Sequence, residues 1–326
     1  MRTKINEKIN NNSNKCKLKP FVKWAGGKKG VLEEIHKRYP EEFGTKINKF
    51  VEPFLGGGAV LFDVLSNYKL SEIYISDTNF ELINAYKVIQ QNVEELIYLL
   101  KKFEDEYIPL DDEKRKIYYY SKRERFNKYI SKEIKDDIEG AALFIFMNRT
   151  CFNGLYRVNK KGLYNVPMGS YKNPKICDKE NLTNISKKIK NVTIKCENYF
   201  ESLEFIDEKT FVYFDPPYRP LTKTSSFTSY TLNPFDDKEQ VKLAKYFKKL
   251  DKIGAKLILS NSDPKNISKN DDFFDELFKG YAIDRIKVKR RINSNSEKRG
   301  DVTELIITNI LNKERNLFKS KNVIDI

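Results

Sequence analysis

An acid, two prolines and an aromatic stand in succession at Asp215-Pro216-Pro217-Tyr218, directly behind the apolar run Phe211-Val212-Tyr213-Phe214. The run is strand-forming, and proline cannot continue a central ladder because it lacks an N–H and fixes φ. The strand therefore stops at Asp215, leaving a carboxylate, stiff backbone and a ring at its carboxyl end. Such a group suits an exocyclic amine on a nucleobase. That amine is a poor nucleophile because its lone pair is delocalised into the ring. The carboxylate and the Pro216 carbonyl, by accepting its two N–H bonds, would favour a pyramidal nitrogen and free the pair. Tyr218 would stack on the base, which must leave a duplex to be reached. The plainer reading of the same residues is a strand ended by a tight Pro-Pro turn.

A second constellation lies upstream. FLGGGAVLF places Gly56, Gly57 and Gly58 in a strand-to-helix turn, where a ligand can lie close to backbone and helix N-terminus. The pattern is not the full dinucleotide fingerprint and would also serve a plain tight turn. Asp77 ends the next strand, EIYISD, 19 residues beyond Gly58. That is near the spacing at which an acid accepts hydrogen bonds from ribose hydroxyls. Turn and acid together imply an adenosine-containing ligand, with no phosphate required. A sulfonium methyl donor loses its positive charge on transfer, so proximity, alignment and acceptors for the amine protons suffice.

The elements that must hold these residues alternate. FVKWAGGKKGVLEEIHKRY reads as a short strand, a glycine turn and a helix beginning near Lys29, and KFVEPFLGGGAVLFDVL repeats that grammar. NFELINAYKVIQQNVEELIYLLKKFE has apolar residues at helical spacing. Residues 112–148 read as charged helices ending in the apolar AALFIFMN, and 149–175 as loops or hairpins rich in Gly, Asn, Tyr and basic residues. VTIKC, TFVYFD and AKLILSN are strands, with a helix closed by Gly254 between the last two. YAIDRIKVKRRI and DVTELIITNI are joined by a connection short enough for an antiparallel hairpin. The expected fold is a doubly wound, Rossmann-like α/β sheet with an antiparallel terminal hairpin and a mostly helical insertion.

Composition agrees in direction. The 326 residues carry 61 Lys and Arg against 46 Asp and Glu, a net charge of +15. This suits a polyanionic partner such as nucleic acid, although Lys/Asn-rich bias, as in KINNNSNKCKLK, would also produce it. No run approaches the roughly 18 apolar residues of a membrane span, and the amino-terminal residues lack a signal-peptide apolar segment. A cytoplasmic protein is expected. Cys16, Cys151, Cys177 and Cys196 show no metal-ligand spacing and read as reduced, structural thiols. His36, the only histidine, has no partner at metal or triad spacing and is given no role.

The motifs FVKWAGGK, VEPFLGGGAVLFD, SDTNFELINAY, NRTCFNGLYRVNKKGLYNVPMGSYKNPKI, FVYFDPPYRPLTKTSSFTSYT and LSNS occur in one order. In this the chain resembles the α-group (D12 class) DNA adenine-N6 methyltransferases from about residue 20 to 312. The resemblance is strongest to the Dam-like, GATC-specific enzymes, including those that accompany GATC restriction endonucleases. It implies an S-adenosyl-L-methionine-dependent enzyme acting on double-stranded DNA, with a cognate endonuclease encoded nearby as a possible functional partner. Trp24, Lys28, Pro53, Gly56, Gly58, Asp77, Tyr199 and Asp215 would line the cofactor site. Asp77 would hold the ribose and Tyr199 would meet the adenine. Asn198 stands where the family usually has an acid or small polar residue. Asp215, Pro216, Pro217 and Tyr218 would act at the target amine.

By the same match the NGLYR hairpin reads the site. Arg157 is the candidate for a bidentate guanine contact, Leu155 for a thymine methyl, Pro167 for packing on a base, and Asn153 and Tyr171 for supporting the flipped-out site. Lys23 would reach the outer guanine. Phe227 and Tyr230 would anchor a loop closing over DNA. From its charge, the basic KVKRRINSNSEKRG would run along phosphates through Arg290, Arg291, Lys298 and Arg299, or else form a solvated hairpin tip. Leu155 and Pro167 could instead fill a small core, and Arg157 could be a phosphate clamp, which positions without specifying. The implied division is an arm of residues 1–19, a catalytic domain of 20–85 and 191–312, a target-recognition domain of 86–190, and a tail of 313–326. DPPY rather than SPPY favours adenine over cytosine-N4, and the absence of Pro-Cys argues against cytosine-C5 chemistry. A catalytically silent DNA-binding protein and an RNA adenine methyltransferase remain as alternatives.

Overall fold

The computed structural model describes residues 18–220, 235–289 and 301–310. Seven strands form one sheet: β1 (Lys49–Glu52), β2 (Glu72–Asp77), β3 (Thr193–Cys196), β4 (Thr210–Phe214), β5 (Lys256–Ser262), β6 (Ala282–Lys289) and β7 (Asp301–Thr308). Their order is β3-β2-β1-β4-β5-β7-β6. β1 to β5 run parallel, and β7 lies antiparallel to both β5 and β6. The fold is thus the expected doubly wound α/β sheet with an antiparallel terminal hairpin.

A parallel sheet is covered on both faces, so its central strands read as continuous apolar runs. β4 is buried at every position. Its odd and even residues serve two cores. Phe211 and Tyr213 join Phe50, Ile75 and Ile258 on one face. Val212 and Phe214 join Val51, Leu257 and Leu259 on the other. The strand order reverses between β1 and β4. That is the switch point outside which doubly wound sheets open a ligand crevice at the carboxyl ends. Glu52, Asp77 and Asp215 stand at or directly beyond the ends of β1, β2 and β4.

The helices are α1 (Leu32–His36), α2 (Ala59–Asn67), α3 (Phe80–Gln91), α4 (Val93–Tyr107), α5 (Asp112–Ile130), α6 (Asp137–Thr150), α7 (Lys179–Ile189), α8 (Asp237–Ile253) and α9 (Phe273–Leu277). Side-chain caps from Asn79, Asp111, Asp136 and Asp236 open α3, α5, α6 and α8. α6 is apolar nearly all round because α3, α4 and α5 pack around it. Gly254 closes α8 in the left-handed region at φ 98°. Among the described residues, no helix is long and apolar enough to cross a membrane.

Three expectations are corrected. Phe21–Trp24 is not a strand. The Lys23 N–H donates to Asn148 Oδ1 (2.7 Å), Asn148 Nδ2 donates to the Lys23 carbonyl (2.8 Å), and Arg149 donates to the Phe21 carbonyl (2.7 Å). Side chains from α6 meet the backbone groups that a neighbouring strand would otherwise pair. The stretch from residue 79 to 104 is helical as expected, and Asn92, at φ −135°, separates α3 from α4 within it. Residue 86 lies inside α3, so the boundary expected there cuts a continuous helix that packs on β3 and α6 together. The arm also ends earlier than residue 19. Leu18 is buried, and the Lys19 N–H and carbonyl pair with the Asn181 side chain at 3.1 and 2.8 Å. Residues 1–17 and the tail from 311 lie outside the described residues.

Gly58 opens α2 at φ 70°, and a Cβ there would stand 2.4 Å from Tyr86 Oη. Gly58→Ala is expected to destabilise the protein by about 1–3 kcal/mol, read as a lower midpoint in a denaturant or thermal melt.

Candidate active site and recognition turn

A cleft of about 2370 Å³ opens over the carboxyl ends of β1, β2 and β4. At its floor the Lys28 ammonium stands 2.7 Å from Asp215 Oδ1. The same Nζ donates to the Gly26 carbonyl (2.7 Å) and lies 4.6 Å from the centre of the Tyr218 ring. Lys28 is buried, and these contacts take up its charge on three sides. Burial pushes the Asp215 carboxyl above its ordinary value of 3.8. The Lys28 charge and hydrogen bond pull it back, and Glu304 adds to the rise. Tyr218 is oriented from behind, its hydroxyl donating to Glu304 Oε2 at 2.9 Å. Arg219 is clamped by Asp237 (2.7 and 3.0 Å) and Asp271 (2.8 Å). The turn after β4 is therefore held by polar contacts at Tyr218 and Arg219, and residues 215–220 line the cleft.

Glu52, at the end of β1, is 2 % exposed and also lines this cleft. Its Oε2 has no hydrogen-bond partner among the described residues. Burial pushes its carboxyl well above 4.5, and the neighbouring Asp215 and Asp77 charges add to the rise. The Leu61 backbone N–H and Lys28 oppose it. A buried carboxyl with one oxygen left unpaired is costly, and Glu52 Oε2 offers the cleft an open acceptor beside Asp215. Sequence reading passed over Glu52. The available signal was an acid ending an apolar strand just ahead of Pro53, the same grammar as Asp77 and Asp215.

The glycine turn fits side chain as well as ligand. A Cβ on Gly56 would stand 2.8 Å from Trp24 Cδ1, and one on Gly57 3.1 Å from Trp24 Cβ. Trp24 in turn stacks on Tyr156, with ring centroids 5.9 Å apart. Asp77 Oδ2 accepts from the Gly56 N–H and Oδ1 from the Asn79 N–H, both at 3.0 Å. Asp77 thus ties the glycine turn to the end of β2 and still borders the cleft. Pro53 is buried beneath this turn's entry and does not line the cleft. Tyr199 is 5 % exposed and stacks on Phe54 at 5.2 Å, with Phe235 edge-on to both rings. A ligand ring would meet this aromatic cluster rather than Tyr199 alone, and the adjoining Phe200 is 49 % exposed. Asn198 lines the same wall, its side chain accepting from the Tyr199 N–H.

The residues expected to read DNA lie around the end of α6. Asn148 Nδ2, which holds the Lys23 carbonyl, also donates to the Gly154 carbonyl at 3.0 Å. Lys23 Nζ lies 4.0 Å from the centre of the Tyr171 ring. Gly154, at φ 64°, leaves room for the Lys23 stem, which a Cβ would meet at 2.5 Å. Asn153 is also left-handed, at φ 54°. Leu155 is half-buried and packs on the core. Arg157 is exposed, with Nε donating to Asn165 Oδ1 at 2.8 Å. Pro167 is exposed, and its carbonyl accepts from the Phe152 N–H at 2.9 Å. Phe152, unremarked in the sequence, is 50 % exposed beside Asn153. Phe227, Tyr230, Arg290, Arg291, Lys298 and Arg299 lie outside the described residues. His36 does have a partner, Asp63 Oδ2 at 2.7 Å from its Nδ1.

With this geometry in hand, comparison with known proteins is specific. The family described as D12 class N6 adenine-specific DNA methyltransferase matches residues 24–292. The Type II methyltransferase M.MjaIII of Methanocaldococcus jannaschii is 51 % identical over 294 residues, covering 90 % of this chain and 99 % of that protein. The Type II methyltransferase M1.LlaDCHI of Lactococcus lactis subsp. cremoris is 40 % identical over 303 residues, covering 91 % and 97 %. The DNA adenine methylase of Escherichia coli K12 is 33 % identical over 290 residues, covering 89 % and 95 %.

Because the folded state raises the Glu52 carboxyl above its unfolded value, its favourable contribution is complete below the unfolded value and is lost as pH rises through the folded one. Glu52→Gln is therefore expected to raise the melting temperature by a few degrees at neutral pH. The gain should close as pH falls below the ordinary glutamate value of 4.5. Melting curves of both proteins across pH measure this.

Proposed function

The chain belongs to the D12 class of N6 adenine-specific DNA methyltransferases, and from that premise we propose that it transfers a methyl group from S-adenosyl-L-methionine to the N6 amine of adenine in GATC duplex DNA. The observation that carries this reading is Asp215, held on a Pro-Pro turn at the cleft floor and ion-paired to Lys28 at 2.7 Å. The donor set fits the cofactor. The unpartnered Glu52 oxygen and Asp215 suit the ammonium end, Asp77 borders the cleft at the ribose position, and the Phe54–Tyr199 pair offers an apolar wall for the adenine. Trp24, Lys28 and the turn at Gly56 and Gly58 complete the lining, while Pro53 stiffens the approach to that turn.

When bound, the cofactor supplies an electrophilic methyl carbon on a sulfonium. The chain's own residues do the rest. Asp215 and the Pro216 carbonyl accept the two amine N–H bonds, so the nitrogen lone pair turns toward the methyl. Asp215 would receive the amine proton released when the nitrogen takes up that methyl. Lys28 opposes the upward pull of burial on the Asp215 carboxyl. Tyr218, fixed by Glu304, stacks on the base once it has left the duplex.

Recognition falls to the turn at the end of α6. Arg157, braced by Asn165, is the guanine reader, with Leu155 at a thymine methyl, Pro167 against a base and Lys23 toward the outer guanine. Asn153 and Tyr171 support the emptied stack. Phe152, exposed on the same turn, has the size and apolarity of a wedge between base steps. GATC is supported by the motif-by-motif resemblance of this hairpin. A cognate endonuclease, proposed from the relatives named Type II methyltransferases, would be encoded beside this gene; without one the enzyme is a solitary methylase.

Labelled methyl transfer to two duplexes, one with GATC and one with the site scrambled, tests the whole reading. N6-methyladenine is expected on the GATC duplex alone. Label on both would remove the specificity, and label on neither would remove the substrate. Asp215→Ala should abolish transfer in a protein that still melts cooperatively. Arg157→Ala should cost about 1–3 kcal/mol of discrimination at one base pair, seen by comparing single-position variants of the site. Equal weakening on every sequence would make Arg157 a phosphate contact.

A further inference from the structure

Pro216 and Pro217 have no N–H, so the turn after β4 has few backbone groups by which it can be held. β4 pairs with β5 up to Phe214. Beyond that point the contacts come from side chains. Gln240, in the first turn of α8, donates from Nε2 to the Pro217 carbonyl at 3.0 Å. Its Oε1 accepts from Asn261 Nδ2 at 3.1 Å. Asn261 Oδ1 accepts from the Arg219 N–H at 3.1 Å, and Ser262 Oγ donates to the Arg219 carbonyl at 2.9 Å. Among the described residues, no such bond reaches the Pro216 carbonyl.

Gln240 and Asn261 are 2 % and 0 % exposed, and neither lines the cleft. Two amides buried this deeply cost desolvation that an apolar pair of equal volume would avoid. What an apolar pair could not do is grip the Pro217 carbonyl. The proline rings fix φ at 216 and 217, the sheet fixes Phe214, and the Gln240–Asn261 relay fixes the peptide after Pro217. Few torsions are left, and the Pro216 carbonyl is directed by those constraints. The relay also works in one sense only, because Gln240 must donate to a carbonyl at one end and accept from an amide at the other.

We propose that Gln240, oriented by Asn261, is a positioning residue for methyl transfer: it holds the Pro217 carbonyl so that the Pro216 carbonyl faces the target amine. The inference rests on the roles given above to Asp215 and Pro216. It concerns two buried residues that do not line the cleft.

Single-turnover transfer by wild type, Gln240→Glu and Gln240→Leu tests it, with melting temperature and the dissociation constants for cofactor and DNA measured alongside. A glutamate at 240 still accepts from Asn261, yet it can donate to Pro217 only when protonated. Its transfer rate is expected to fall about 10- to 100-fold below wild type near pH ~8.5, with both dissociation constants unchanged. The gap should narrow toward pH ~6 as the buried carboxyl gains its proton. The leucine variant should show a loss of the same order at every pH. A rate per folded molecule equal to wild type in both variants would overturn the inference and leave only a structural role. A Gln240→Glu deficit that does not change with pH would overturn it as well. If the wild type itself transfers no methyl, the underlying reading fails and takes this inference with it.

Discussion

Lys28 enters the cleft from the loop ahead of α1 and Asp215 from the end of β4, and each is tolerable there because of the other. A buried ammonium without a counter-charge would be expelled or neutralised. Burial and the nearby Glu304 charge push the Asp215 carboxyl upward, and Lys28 pulls it back. Their 2.7 Å contact gives each charge a partner and fixes where the amino-terminal loop sits over the sheet. Much else follows from that placement. With Lys28 in position, Gly26 turns its carbonyl to the ammonium, Trp24 lies on the glycine turn, and Tyr218 presents one face to the same charge.

The amino-terminal loop is also where two functions meet. Asn148 holds Lys23 through both backbone groups and reaches Gly154 with the same amide nitrogen. Trp24, one residue on, packs against Tyr156 from the recognition turn. The amino-terminal segment that lines the cleft is therefore bonded directly to the turn after α6. Amide side chains suit this task because one group can both donate and accept at fixed geometry, which an apolar contact cannot.

The cleft floor has a different logic from its rim. Asp215, Glu52 and Asp77 are acids gathered at adjacent strand ends, where their mutual repulsion and burial work against the charged forms. Such an arrangement costs stability, and the protein keeps it at the point where a cationic ligand end would relieve it. The polar braces behind the Pro-Pro turn trade apolar packing for a hold on the Pro217 carbonyl.

The sequence by itself determined what depends on neighbours along the chain. Prolines stop β4 after Phe214, glycines allow left-handed turns at Gly56 and Gly58, alternating and continuous apolar runs define the strands, and a short basic loop demands an antiparallel hairpin. The acids at the ends of β2 and β4 were legible for that reason. Only the tertiary structure decided what depends on partners far along the chain. Phe21–Trp24 has the apolar pattern of a strand but takes its hydrogen bonds from Asn148 and Arg149, residues whose proximity no local pattern encodes. The orphaned Glu52 oxygen, the stacking of Tyr199 on Phe54 and the Gln240–Asn261 relay were hidden likewise. Each arises where segments converge at the carboxyl end of the sheet, and that convergence is set by strand order and helix packing rather than by spacing in the chain.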